Sequence, residues 1–136
     1  MNFYPDTPAS QTIELMAYLI DVPTFSDERG NLTVIEKIIP FEIKRIFYIY
    51  GVDDSVRGGH RHHKTIQAAF CIRGSCIVSN NNGIEERDYL LDRPNKGLII
   101  EPRDWHTMHH FTTDAVFMVL ASETYSPEDY IREAYP

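Results

Sequence analysis

A chain of 136 residues, 43% apolar and 24% charged, has the size and make-up of one globular domain that buries a core without disulfide or metal staples. Its 20 acidic against 13 basic side chains leave a net charge of −7, which excludes the basic footprint of a general nucleic-acid binder. Any anionic ligand must therefore find a local cluster of cations.

The first twenty residues, MNFYPDTPASQTIELMAYLI, carry Asp6 and Glu14, lack a cationic start and never sustain an apolar run. They are expected to be neither a signal peptide nor a membrane span, and a cytoplasmic address is expected. From there on, short runs rich in Val, Ile, Phe, Tyr and Leu alternate with turn sequences, which predicts an all-β sandwich or barrel. Strands are expected over 17–20, 31–36, 44–50, 59–63, 65–73, 76–79, 85–91, 96–100, 105–111 and 116–122. The turns between them are SDERGN, IPFE, GVDDS, RGS, SNNNG, DRPN and EPRD, with SNNNG the strongest hairpin signal because Asn and Gly tolerate positive φ. Cys71 and Cys76 lie in strand-like sequence without metal-site spacing and are expected to be reduced core thiols. Near the end, SPEDYIRE offers Ser126 as an N-cap, Pro127 at the first helical position and acidic residues in the first turn, which predicts a short C-terminal helix.

All six histidines fall into two clusters, RGGHRHHK at 57–64 and WHTMHH at 105–110. In an extended strand His60 and His62 project from one face while Arg61 and His63 project from the other. Two convergent imidazoles suit metal binding, or proton transfer near neutral pH, or simply a polar surface. His109 and His110 are expected to be partly exposed structural residues.

The run His60-x-His62, four residues, Gln67, six residues, Gly74 resembles the first motif of the cupin superfamily, and Gly97, Pro102 and His106 in GLIIEPRDWH resemble the second. The second departs from the usual pattern by one residue and by a missing glycine. At the Gln67 position the superfamily typically has a glutamate metal ligand. A neutral amide is a poor substitute, and Arg57, Arg61 and Lys64 would repel a cation. A metal-free site is therefore expected, with His60, His62 and His106 as the ligands of the rival metal-dependent reading.

A longer set of matches, IDVPTFSDERGNLTVIEKIIPFEIKRIFYIYGVDDSVRGGHRHHK, GSC, PNKGLIIEPRDWHTMHHFTTDAVFMVLAS and DYIRE, resembles the sugar-nucleotide 3,4-ketoisomerases. These are metal-independent cupins that act on dTDP-4-keto-6-deoxyglucose. The resemblance implies a cupin jelly roll, a single domain over 1–136, an isomerase without cofactor, and a role in 3-amino deoxysugar biosynthesis. It also implies a homodimer in which an N-terminal arm, 1–19, is exchanged between subunits, with 12–20 supplying the strand. His60 and His62 are then the expected catalytic pair, His60 as carbon base and His62 as the relay between O3 and O4. Arg57 and Arg45 are the expected partners of the pyrophosphate, and Gln67, Tyr48 and Trp105 are expected to line the pocket. Arg29 together with His106 resembles the branch that yields the galacto product, dTDP-3-keto-6-deoxygalactose. The competing expectations are a metal-dependent cupin enzyme, a dTDP-sugar 3,5-epimerase and a non-catalytic sugar-binding cupin.

Overall fold

The computed structural model describes residues 16–136. The strands in chain order are β1 (Tyr18–Asp21), β2 (Thr24–Asp27), β3 (Gly30–Thr33), β4 (Arg45–Ile49), β5 (Arg57–His62), β6 (Gln67–Arg73), β7 (Cys76–Asn81), β8 (Glu86–Leu91), β9 (Lys96–Ile100), β10 (Trp105–His109), β11 (Val116–Ala121) and β12 (Tyr130–Ile131). They build two five-stranded sheets, β1-β9-β6-β11-β4 and β12-β5-β10-β7-β8, and a separate β2-β3 hairpin. Neighbouring strands pair antiparallel, as the all-β expectation required.

The two sheets enclose a core to which both contribute: Ala69 and Cys71 from β6, Val78 from β7, Leu91 from β8, Leu98 from β9, Met108 from β10 and Phe117 from β11. A second apolar cluster of Val22, Ala68, Phe70, Ile99 and Leu120 lies on the other side of the first sheet, with Ile35, Ile39 and Phe41 packed over it. The central strands of the first sheet are therefore covered on both faces. That is why Gln67 to Cys71 are buried without interruption, whereas β7, covered on one face, alternates buried and half-buried positions. Phe70 lies so close over Gly97 that a Cβ there would sit 2.5 Å from its ring, so β9 accepts only glycine at that point without a shift of the ring.

The SNNNG hairpin forms as expected between β7 and β8. The Asn82 side-chain carbonyl accepts from the backbone N–H groups of Ile84 and Glu85, and Asn81 accepts from that of Gly83. Both cysteines are free and fully buried in the main core.

The C-terminal helix is corrected to one 3-10 turn, Pro127–Asp129, followed at once by β12. Tertiary hydrogen bonds prevent its extension. The Asp129 carbonyl accepts from the His63 N–H, its carboxylate accepts from the Lys64 N–H and the Thr65 hydroxyl, and the Ser126 hydroxyl donates to Glu128 instead of capping the backbone. Tyr130 is already extended, at φ −90 and ψ 135, and pairs with His62. Of the N-terminal arm, 1–15 lies outside the described residues, and 16–19 run into β1. Among the described residues no helix is long and apolar enough to cross a membrane.

Candidate active site

β5 and β10 run antiparallel, with His60 directly opposite His106. The approach is made possible by Gly58, at φ +86. A Cβ there would stand 2.9 Å from the His106 carbonyl oxygen and 3.0 Å from Met108 Sδ, and the φ itself is costly for any other residue. Alternation along β5 then turns His60 and His62 the same way, as the HxH spacing predicted, and their ring centroids are 5.0 Å apart. His106 lies 5.1 Å from His60 and 6.3 Å from His62.

These side chains border a cavity of about 290 Å³ between the sheets. Its polar lining consists of Arg45, Arg57, His60, Gln67, His106 and Tyr130, and its floor is apolar, with Met108, Phe117 and Val119 exposed to it. A small, mostly apolar pocket with a few convergent polar groups is the usual form of a small-molecule site. His62 does not line the cavity. It is buried, and the Tyr130 ring, which does line the cavity, stands 4.7 Å from both His60 and His62.

All three histidines are held neutral at physiological pH. Burial pushes His60 down to about 3, aided by His106, His62 and Arg132. Burial likewise takes His62 down to about 4, with His106 and Arg45 adding to the effect and Asp129 opposing it. Burial also lowers His106, against the hydrogen bond its Nδ1 makes to the Asp104 carbonyl at 2.9 Å. Because a carbonyl only accepts, that bond puts the His106 proton on Nδ1 and leaves Nε2 as the lone-pair nitrogen. His60 Nδ1 and both ring nitrogens of His62 are buried without a protein hydrogen-bond partner. Orphaned imidazole nitrogens beside a cavity are what a proton-transfer site would leave before its ligand arrives.

Asp129 anchors the end of β5. Burial works against its charge, yet the Thr65 hydroxyl and the Lys64 N–H hold its carboxyl below the usual range. Arg45 is gripped by aromatic rings, 4.7 Å over Phe47 and 5.3 Å over Tyr125, and its Nη1 donates to the Tyr130 hydroxyl at 3.5 Å. Arg57 stands exposed at the mouth of the cavity.

Of the site residues expected from sequence, His60, His106, Gln67, Arg45 and Arg57 meet around one cavity, with His62 in contact behind it. Three do not reach it in this chain. Tyr48 is 62% exposed because Arg45, Phe47 and Ile49 take the inward positions of β4, and it stacks on Tyr50 outside. Trp105 faces away from His106 on β10 and donates its indole N–H to the Arg132 carbonyl. Arg29 sits at the β2-β3 turn, exposed and bound to Asp27 at 2.6 Å. Among the described residues no three His, Cys, Asp or Glu side chains are grouped as metal ligands. Sequence reasoning missed Tyr130 and Asp129, which the expected helix would have carried elsewhere. Their signal lay only in DYIRE, a matched segment to which no role was attached.

The model of the FdtA family, described as WxcM-like, C-terminal, matches residues 16–135. The chain belongs to that family. This FdtA-family chain is 43% identical over 118 residues to the TDP-4-oxo-6-deoxy-alpha-D-glucose-3,4-oxoisomerase of Aneurinibacillus thermoaerophilus, covering 85% of each. A solved 3,4-ketoisomerase from Helicobacter canadensis superposes with a TM-score of 0.82 at 38% identity, over 86% of this chain and 90% of that one. QdtA, the 3,4-ketoisomerase of Thermoanaerobacterium thermosaccharolyticum, solved as a mutant in complex with TDP-4-keto-6-deoxyglucose, superposes equally well, with a TM-score of 0.82, 42% identity and coverage of 86% and 87%. The cupin jelly roll and the isomerase class expected from the motifs agree with these relatives.

Proposed function

We propose that the cavity converts TDP-4-keto-6-deoxyglucose to its 3-keto isomer, with His60 as the base for carbon and His62 as the second proton-handling group. The observation that carries this reading is the group of neutral imidazoles, His60 foremost, beside the two guanidinium groups of Arg45 and Arg57. The hydrogen on C3 is acidified by the C4 carbonyl, so a neutral base with a free lone pair suffices to remove it, and no redox partner enters the balance. The bound pyrophosphate finds its countercharge in Arg45 and Arg57, the cations at the rim of a chain that is acidic elsewhere. Gln67, 5% exposed, is the neutral hydrogen-bonding group of the wall.

His106 and Arg29 are proposed to set the face on which C4 is reprotonated, giving the galacto product. His106 stands in the cavity, and Arg29 does not reach it from the same chain. A homodimer accords with this arrangement. β1 ends the first sheet, and Leu19, Phe25 and Leu32 are exposed there and on the β2-β3 hairpin. Sedimentation of the full chain should return twice the monomer mass of 15.8 kDa.

The reaction is tested by incubating the protein with TDP-4-keto-6-deoxyglucose in D₂O. The expected result is movement of the keto carbon signal from C4 to C3 with deuterium at the new C4 centre, and the parallel reaction in H₂O, where C4 keeps a proton, should give a small H4 coupling for the galacto product. Deuterium entering C5 would mark an epimerase, and an unchanged spectrum a binder. Either would refute the proposal.

A further inference from the structure

We propose that Tyr130 is the acid–base group on the oxygen side of the reaction, carrying the proton between O4 and O3 of the sugar while His60 works on carbon. The inference rests on the ketoisomerase reading and deepens it. His62, to which the relay is assigned on strand alternation, is buried and does not line the cavity, whereas Tyr130 does. Any group that touches both sugar oxygens must reach the cavity, and Tyr130 both lines that space and lies 4.7 Å from each of the two imidazoles.

The hydrogen bond from Arg45 gives the phenol its direction. A guanidinium has only donors, so Nη1 of Arg45 occupies a lone pair of the Tyr130 oxygen and leaves the phenolic proton free to be given away. Once it is given, the same guanidinium lies against the phenolate. At 3.5 Å the contact is long, as catalytic hydrogen bonds often are before a ligand tightens the site. The other charged or titratable groups facing the ring are His60, His62, Tyr125 at 5.6 Å and Arg132 at 5.5 Å. The two imidazoles are neutral and Arg132 is cationic, so among these groups none places a negative charge against a nascent phenolate.

The steps balance without an outside reagent. The C3–H bond breaks and its proton goes to His60. The electron pair becomes the C3=C4 double bond as the carbonyl pair moves to O4, which takes the proton of Tyr130. The O3–H proton then returns to the phenolate, C3=O forms, and the double-bond pair takes a proton at C4 from the imidazolium, whose proton has meanwhile exchanged with water.

The test separates carbon from oxygen chemistry by following TDP-4-keto-6-deoxyglucose deuterated at C3, measuring release of label to water alongside isomerisation. Wild-type protein should do both. Tyr130→Phe keeps the ring packed on His60 and His62 and should bind TDP within a few-fold of wild type. Its isomerisation should fall by about 10²-fold while label release falls less, so that the ratio of release to isomerisation rises. Turnover within a few-fold of wild type, or equal loss of both processes, would overturn the assignment. If Tyr130→Phe fails to fold, fluorinated tyrosines at position 130 keep the question open to measurement: the isomerisation rate should follow phenol acidity, and indifference to it would overturn the proposal. Should wild-type protein neither release label nor isomerise, the failure belongs to the reading of the reaction itself, and this assignment falls with it.

Discussion

Acidification from pH 7 to pH 5 should destabilise the fold through His60 and His62. Each titrates near 6.5 in an unfolded chain, and the folded protein holds them at about 3 and about 4. The unfolded state therefore binds more protons throughout that window, and stability falls as pH drops below about 6.5 until the folded values are reached. A histidine fully barred from protonation loses about 1.4 kcal/mol per pH unit, or about 2 kcal/mol by pH 5. Relaxation and water entry around a charge placed in such a site take back part of this, so roughly half is counted, about 2 kcal/mol for the pair. For a domain of this size the loss corresponds to a Tm lower by roughly 4–10 °C. Thermal unfolding followed by circular dichroism at pH 7, 6 and 5 measures it, with the His60→Asn/His62→Asn protein as reference. The carboxyls of Glu101 and Asp104, both pushed up by burial, bias stability the other way, and His106 adds to the loss. All three are present in both proteins and drop out of the difference. Parallel Tm curves for the two proteins would refute the argument that the fold keeps these imidazoles uncharged.

Arg57→Ala should raise KM for the nucleotide sugar by about tenfold with little change in kcat, since a rim cation binds ground and transition states alike. Steady-state kinetics would show the split, and a fall in kcat alone would contradict it. Gly58→Ala should cost about 2 kcal/mol in denaturant unfolding and lower turnover as well, because the Cβ forces β5 from β10 and separates His60 from His106. Asp129→Asn removes the charge that gathers the Lys64 N–H and the Thr65 hydroxyl, and should cost about 1–3 kcal/mol by the same measurement.

The strand pattern was legible wherever the side chains meet a core. The expected 96–100 coincides with β9, and 44–50, 85–91 and 116–122 overrun β4, β8 and β11 by a residue or two. β2 escaped notice because all four of its residues are exposed, so no apolar alternation marks it. The 3-10 turn and β12 were misread for another reason. Local capping signals there favoured a helix, and the partners that override them, His63, Lys64 and Thr65, lie more than sixty residues away. That His60 and His62 turn the same way was readable because alternation is a local rule. That Tyr48 and Trp105 face outward is the same rule applied to β4 and β10 once the inward positions are known from Arg45 and His106. Tyr130 could not be read in this way, since its place depends on pairing with His62.

The centre of the first sheet, covered on both faces, restricts where such a chain is free to vary. Between Gln67 and Cys71 no side chain faces water, and neighbours such as Ala68 and Ala69 belong to different apolar clusters. A replacement in that stretch must satisfy one packed environment or the other, and the residue beside it cannot yield to make room. β5 and β10, by contrast, have a half-buried outer face where Arg61 stacks on Tyr135 and Trp105 donates to the Arg132 carbonyl of the C-terminal segment. A library of substitutions scored by folding alone should tolerate almost nothing between Gln67 and Cys71 and much more on those outer positions. New specificity would accordingly be easier to select from the strands carrying the histidines than from the sheet behind them.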